Sequence, residues 1–318
     1  MTESVRIASR GSELALWQAN SVRDALLAVH PELGVEIRVI HTTGDRITDV
    51  PLARIGDRGL FTKEIDATLL NGQADLAVHS LKDVPTILPE GLDLAAVTER
   101  TDPRDVVLAR PGGAASVAAF PPGARVGTSS LRRRAQLRAL RPDVEVVDLR
   151  GNLNTRLAKL DRGEYDAIVL AAAGVLRLGW RDRVSAWLDP DQWLPAVGQG
   201  ALALVVRAGD EHLRQLLGPL HHRATAAAVG AERAFLNGLE GGCQVPIGAL
   251  ATCGDRSVRL AGLVADLEGV RVLRLTAEGP IDSPERVGER LADDMIRAGA
   301  DRILADVRSH GTPPPPAP

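Results

Sequence analysis

Asn71-Gly72-Gln73-Ala74-Asp75-Leu76-Ala77-Val78 and Arg162-Gly163-Glu164-Tyr165-Asp166-Ala167-Ile168-Val169 are two copies of one pattern. In each, a Gly and an Asp keep the same separation and an apolar run follows. Outward from the first copy, Val5–Ser9 reads as a strand. Gly11-Ser12 then opens a helix carrying Leu14, Trp17, Val22, Leu26 and Val29 at helical spacing, which His30-Pro31 ends. Val35–Ile40 alternates as a strand, a polar Gly-rich loop runs from Thr42 to Gly59, a helix spans about Thr62–Leu70, and Asp75–His79 is the third strand. Outward from the second copy the same order returns. Arg125–Thr128 is a strand, Ser129-Ser130 opens a helix that Arg141-Pro142 stops, and Val144–Leu149 is a strand. A helix near Asn154–Leu160 and the strand Tyr165–Leu170 complete the set. The pattern predicts two similar α/β lobes.

A third region begins near Pro219. It reads as a helix over Thr225–Leu239, a loop Glu240–Pro246, strands Ile247–Ala251, Val258–Val264 and Val270–Leu275, and a final helix over Pro284–Ala298. That predicts a small α+β domain of three strands and two helices. Pro313–Pro318 can form neither helix nor central strand and reads as a disordered tail, residues 312–318.

The 318 residues suffice for two or three domains. With 45% hydrophobic and 25% charged residues, the composition excludes a fibre and a disordered chain. A net charge of −3 gives no global attraction to nucleic acid or anionic membrane, so any basic site must be local. Met1–Arg6 lacks a basic and then apolar leader, and the longest nearly apolar run, Ala167–Leu176, is well short of the ~20 residues a spanning helix needs. The expectation is a cytoplasmic chain with no membrane or nucleic-acid partner. Cys243 and Cys253 have no CxxC partner, the seven histidines are scattered, and neither GxxxxGK[ST] nor a strand-borne GxGxxG is present. Zinc, thioredoxin-type and nucleotide-loop chemistry are therefore not expected.

In open α/β sheets, ligands bind at the carboxyl ends of the strands, where helix N-termini face anions. In the first lobe those ends carry Ser9, Arg10, Ser12, Thr42, Thr43, Asp45, Ser80, Lys82 and Asp83. In the second they carry Thr128, Ser129, Ser130, Arg132, Arg133, Arg150, Asn152, Asn154 and Arg156, with Arg177 after the next strand. Of the 38 basic residues only Lys63, Lys82 and Lys159 are lysines. Arg grips carboxylate or phosphate with a planar fork, so arginine at three successive strand ends points to a polycarboxylate, a polyphosphate or nucleic acid. Nucleic acid fits least, because 3% aromatic residues offer few stacking faces. Lys82-Asp83 reads either as a surface ion pair or as a carboxylate held among cations to stabilise developing positive charge. Cys243, in Glu240-Gly241-Gly242-Cys243-Gln244-Val245-Pro246, reads as a buried structural thiol or as a tethering nucleophile.

Seven ordered segments resemble the porphobilinogen deaminase (hydroxymethylbilane synthase) family: RGSELALWQ (10–18), GLF (59–61), AVHSLKDVP (77–85), GTSSLRR (127–133), LRGN (149–152), LPAVGQG (194–200) and EGGCQVP (240–246). The resemblance spans Val5 to about Val307. It implies two lobes like type II periplasmic binding proteins: lobe one from residues 1–99 and 200–218, with Ala201–Arg207 returning to it as a strand, lobe two from 104–195, and a C-terminal α+β domain, 222–311. It implies a monomeric transferase that condenses four porphobilinogen molecules head to tail, releasing ammonia, into linear hydroxymethylbilane for haem biosynthesis.

On that likeness Cys243 would carry a dipyrromethane cofactor through a thioether. Asp83 would be catalytic, contacting pyrrole N–H groups, assisting departure of the amine and stabilising the azafulvene cation that the next ring attacks. Ser80, Lys82, Asp83, Thr128, Ser129, Ser130, Arg132, Arg133 and Arg150 would hold the cofactor. Arg10, Ser12, Arg156 and Arg177 would hold substrate, and Arg58 and Phe61 would belong to a loop over the cleft. That loop departs from the family's Gly-Gly-Lys-Gly-Leu-Phe, reading Gly56-Asp57-Arg58-Gly59-Leu60-Phe61. Two other readings are a small-anion binding protein and a nucleic-acid-binding regulator using Arg132–Arg141.

Overall fold

The computed structural model describes residues 4–42, 62–239 and 245–311, with side chains to residue 309. Thr43, Asp45, Arg58, Phe61, Cys243 and the Pro-rich tail lie outside these residues.

The repeated pattern has one structural job in both places. Gly72 and Gly163 follow the last residues of helices α2 (Lys63–Leu70) and α4 (Leu153–Asp161) with φ of 72° and 75°, a left-handed turn that favours glycine. The repeated aspartates then close the start of the next strand. Asp75 Oδ2 accepts from the Arg6 backbone N–H at 3.0 Å, and Asp166 Oδ2 from that of Arg125 at 2.8 Å. Burial pushes the Asp75 carboxyl up, but hydrogen bonds from Arg6 outweigh it and hold it below the usual carboxylate range.

Strands β1 (Ser4–Arg10), β2 (Gly34–Ile40), β3 (Leu76–Ser80), β4 (Leu92–Val97) and β10 (Leu202–Arg207) form a sheet ordered β2-β1-β3-β10-β4, with β10 antiparallel to β3 and β4. Strands β5 (Asp105–Ala109), β6 (Arg125–Gly127), β7 (Glu145–Val147), β8 (Ala167–Ala171) and β9 (Ala186–Trp187) form a second, ordered β7-β6-β8-β5-β9, with β5 antiparallel to β8 and β9. The same slot in each sheet is therefore filled by a strand that arrives after a crossing. In the first sheet, Val5 and Ile7 pack with Val22 and Leu26 of α1 (Glu13–Val29), and Ala8 packs with Ile65 and Leu69 of α2 on the other face. Burial of both faces explains why the inner strands β3 and β10 read as nearly continuous apolar runs, while β2 at the sheet edge alternates.

In the third region, β11 (Ile247–Cys253), β12 (Ser257–Ala265) and β13 (Val272–Pro280) form an antiparallel sheet. It packs on Phe235 of α7 (Arg223–Gly238), which comes after the short α6 (Glu211–Leu217), and on Leu291 of α8 (Pro284–Arg297). Two features differ from expectation. The third strand runs on to Pro280, and a further helix, α9 (Ala300–Gly311), comes after Gly299 and buries Ile303 and Leu304 in the same core. Among the described residues the domain thus has three main helices, because the chain turns at a left-handed Gly299, φ 99°, and lays another apolar stripe on the sheet.

The core of the second lobe contains a charge cluster. Asp105, with no exposed surface, accepts from Arg132 Nη1 at 2.7 Å, Arg133 Nη2 at 2.7 Å, Trp193 Nε1 at 2.8 Å and Gln199 Nε2 at 2.9 Å. Burial alone would push this carboxyl up, but the two guanidinium charges outweigh it and hold it far below the usual range. Asp105→Ala should destabilise the protein by about 3–5 kcal/mol because two buried cations would be left facing each other. Removing the exposed Arg162–Glu164 pair by Glu164→Ala should cost less than about 1 kcal/mol. Paired thermal unfolding curves check the contrast. Gly163→Ala meets no neighbour within 4 Å, so its expected loss of about 1–2 kcal/mol would report backbone conformation alone.

Candidate active site

Helix starts from both lobes meet across the cleft. Ser12 caps α1, its hydroxyl accepting from Ala15 N–H at 3.3 Å; Ser130 caps α3 (Leu131–Leu140), accepting from Arg133 N–H at 3.5 Å; and Asn152 caps α4, accepting from Thr155 N–H at 2.9 Å. Asn154 Nδ2 donates across the gap to Glu13 Oε2 at 2.6 Å. Arg177, at the end of α5 (Ala172–Arg177), lies 5.7 Å from the ring centre of Trp17. An open pocket on the first-lobe side is lined by Arg10, Ser12, Gln18, His79, Ser80 and Asp83, among others.

The loop after β3 makes a single tight turn, Leu81–Asp83, in which Leu81 is buried and Asp83 is exposed. Burying Leu81 turns Lys82 and Asp83 towards the cleft. Desolvation pushes the Lys82 ammonium down to about 8; Asp83 and Asp105 oppose this, while Arg133 and Arg132 reinforce it. Across the gap, Arg156 is likewise lowered, to about 10. Desolvation is the main cause, then repulsion from Arg133 and Arg150, with Asp83 opposing and Arg10 adding to it. Arg156 still carries its charge at neutral pH. Groups far apart in sequence thus share one electrostatic site in which guanidinium groups outnumber the carboxylate.

The expected residues divide by what they already hold. Arg10, Ser12, Ser80, Lys82, Asp83, Arg150 and Arg156 belong to this cleft. The hydroxyls have local work as well: Ser129 donates to Leu149 O at 3.0 Å, Thr128 accepts from Ser130 N–H at 3.2 Å, and Ser80 accepts from Gln18 Nε2 at 2.8 Å. Arg132 differs most from expectation. It is buried, its Nη1 serves Asp105 and Leu194 O, and its place is in the core. Arg133 also serves Asp105 and Val169 O, yet its buried Nε has no hydrogen-bond partner among the described residues. Arg177 donates to Gly200 O at 2.8 Å, where the chain crosses between lobes. Gln18, His79, Asp105 and Gln199 had no role in the sequence reading. Gln18, His79 and Gln199 lie in segments that carried the resemblance, but only the fold brings them to the cleft.

Lys82, Arg10, Arg150, Arg156 and the Nε of Arg133 form a donor set suited to a ligand with several carboxylates. Gly248, soon after Cys243 in sequence, packs against Leu194 and the Arg132 stem, so β11 begins beside the second-lobe arginines.

A family model described as "Porphobilinogen deaminase, dipyromethane cofactor binding domain" matches residues 5–215, and one for the "Porphobilinogen deaminase, C-terminal domain" matches residues 226–297. The chain is 51% identical over 308 residues to the porphobilinogen deaminase of Syntrophobacter fumaroxidans, covering 96% of this chain and 99% of that protein. It is 49% identical over 308 residues to that of Carboxydothermus hydrogenoformans, covering 97% and 98%. The solved periplasmic VFT2 domain of Bordetella pertussis BvgS gives a TM-score of 0.40 at 18% identity, covering 68% of this chain and 84% of that one. The chain belongs to the porphobilinogen deaminase family, the hydroxymethylbilane synthases, transferases of tetrapyrrole biosynthesis with a dipyrromethane cofactor.

Proposed function

We propose that the cleft between the two sheets is where this chain joins porphobilinogen units, with Asp83 as the catalytic carboxylate. The observation that supports this best is the charge imbalance: Asp83 stands exposed among Lys82, Arg10, Arg150 and Arg156, contributed by both lobes. A carboxylate there can accept the pyrrole N–H and stabilise the positive charge that grows on the ring as the C–N bond breaks and its electron pair leaves on ammonia. The α-carbon of the next ring then forms the new C–C bond and sheds its proton. Lys82 and the arginines hold the acetate and propionate groups, fixing ring orientation by paired N–H donors.

The dipyrromethane supplies the anchored primer on which the chain of rings grows. We assign its attachment to Cys243 and its carboxylates to Lys82, Arg133, Arg150 and the hydroxyls Ser80, Thr128, Ser129 and Ser130, with Arg132 acting from beneath through Asp105. Arg10, Ser12, Arg156 and Arg177 are assigned to incoming substrate, and Arg58 and Phe61 to the loop beside it. The working unit is taken as a monomer, acting in the cytoplasm on porphobilinogen and not on nucleic acid or membrane. Among the described residues, no helix is long and apolar enough to cross a membrane.

Intact mass separates the parts of this reading. Native protein should carry a dipyrrole-sized adduct and Cys243→Ser none; an unmodified native chain without porphobilinogen turnover overturns the reading. Asp83→Asn should keep the adduct and lose roughly 10²-fold or more in turnover, because its neutral amide no longer balances the ring's charge. The Lys82 ammonium is charged below about 8 and neutral above it. Turnover should therefore fall as pH climbs through 8, because the anchored rings lose a fixed cation beside Asp83, and the fall should be absent in Lys82→Arg, whose charge persists.

A further inference from the structure

We infer that Gln199 is a positioning residue for the reaction: its side-chain amide holds Lys82, beside Asp83, to the first strand of the second lobe. The inference rests on reading Lys82 and Asp83 as part of the active site.

Gln199 is 1% exposed and lies on the return crossing to the first lobe. Its Oε1 accepts from Lys82 Nζ at 3.3 Å, while its Nε2 donates to Pro103 O at 2.7 Å, Arg104 O at 3.2 Å and Asp105 Oδ1 at 2.9 Å. The partners dictate the orientation of the amide, since an ammonium can only donate and the carbonyls and carboxylate can only accept. Among side chains of this length, only a neutral amide presents an acceptor to one side and two donors to the other. The backbone is held as firmly. Arg100 Nε donates to Gln199 O at 2.8 Å, Gln199 N–H donates to Ala196 O at 3.0 Å, and the adjoining Gly200 O accepts from Arg177 at 2.8 Å.

The consequence is a connection between two charge systems. On one side Asp105 neutralises Arg132 and Arg133. On the other, Lys82 stands beside Asp83. Gln199 is hydrogen-bonded to both Lys82 and Asp105, so the ammonium beside Asp83 is held at a fixed place relative to the buried charge cluster. The charged groups acting on Lys82 are Asp83, Arg133, Asp105 and Arg132. The amide oxygen favours the charged ammonium; loss of that acceptor moves Lys82 titration to lower pH, and a carboxylate in its place moves it to higher pH.

The test uses holoenzyme of wild type, Gln199→Leu, Gln199→Glu, Lys82→Met and the double variant Gln199→Leu/Lys82→Met. Dipyrrole loading is verified by intact mass, and kcat and kcat/KM are measured across pH. Gln199→Leu should lose about ten- to a hundredfold in kcat/KM and shift the alkaline limb by about one pH unit to acid. Gln199→Glu should shift the same limb to higher pH, and this variant carries the test if Gln199→Leu yields no holoenzyme. In the double variant the Gln199→Leu loss should largely vanish, because Lys82 is no longer there to be positioned. Opposite limb shifts with a non-additive double variant support the inference. Losses that multiply, or an alkaline limb at the wild-type pH in both Gln199 variants, overturn it. If Lys82→Met keeps wild-type kinetics at every pH, the assignment of Lys82 to the active site fails first, and the inference falls with it.

Discussion

A carboxylate with no exposed surface stays ionised only where cations and N–H donors replace the water it has lost. Asp105 is in that position, and the second lobe is arranged around it. Its four donors come from α3, from Trp193 and from the crossing residue Gln199, so one side chain at the start of β5 draws together segments distant in sequence. Arg133 also donates to Val169 O in β8, tying the cluster to the central strands of the sheet. Such a cluster contributes little net stability compared with well-packed apolar residues, but breaking it is costly, and that asymmetry enforces a single arrangement of these segments.

Glu232 performs the matching task where the lobes join the third region. Also fully buried, it accepts from Arg100 Nη1 at 2.6 Å and from the backbone N–H groups of Gly198 at 2.7 Å and Ala251 at 2.8 Å. Both crossings are thereby fastened to α7 and β11. The crossings themselves run so close that a Cβ on Gly200 would meet Thr101 O at 2.3 Å. A site built between the lobes therefore has its geometry set by two buried carboxylates, one on each side of the crossing.

Much of the candidate site was legible because polar residues at the ends of apolar strands must face the crevice of an open α/β sheet. Arg10, Ser80, Lys82, Asp83, Arg150 and Arg156 were found that way, and they share the cleft. The sequence could not divide the arginines between ligand and core. Arg132 and Arg133 adjoin each other and read alike, yet what decides their surroundings is Asp105, 27 and 28 residues away. Asp105 itself lies just before an ordinary apolar run, and no local pattern marks it. The hydroxyls were similarly ambiguous: Ser12 and Ser130 are polar groups at helix starts, and a cap and an anion ligand share one sequence signature.

The helix α9 was not legible for a related reason, since Gly299 reads as a stop and only the packing of Ile303 and Leu304 onto the sheet makes the residues beyond it part of the domain. By itself the sequence determined the two-lobed plan, the third α+β region and the basic character of the cleft. Those features arise from local periodicity, from glycines that end helices, and from an Asp that caps the next strand, all short-range effects. Only the tertiary structure decided which charges are neutralised in the core and which face the ligand. That division depends on desolvation and on partners contributed by distant segments, neither of which any stretch of sequence contains.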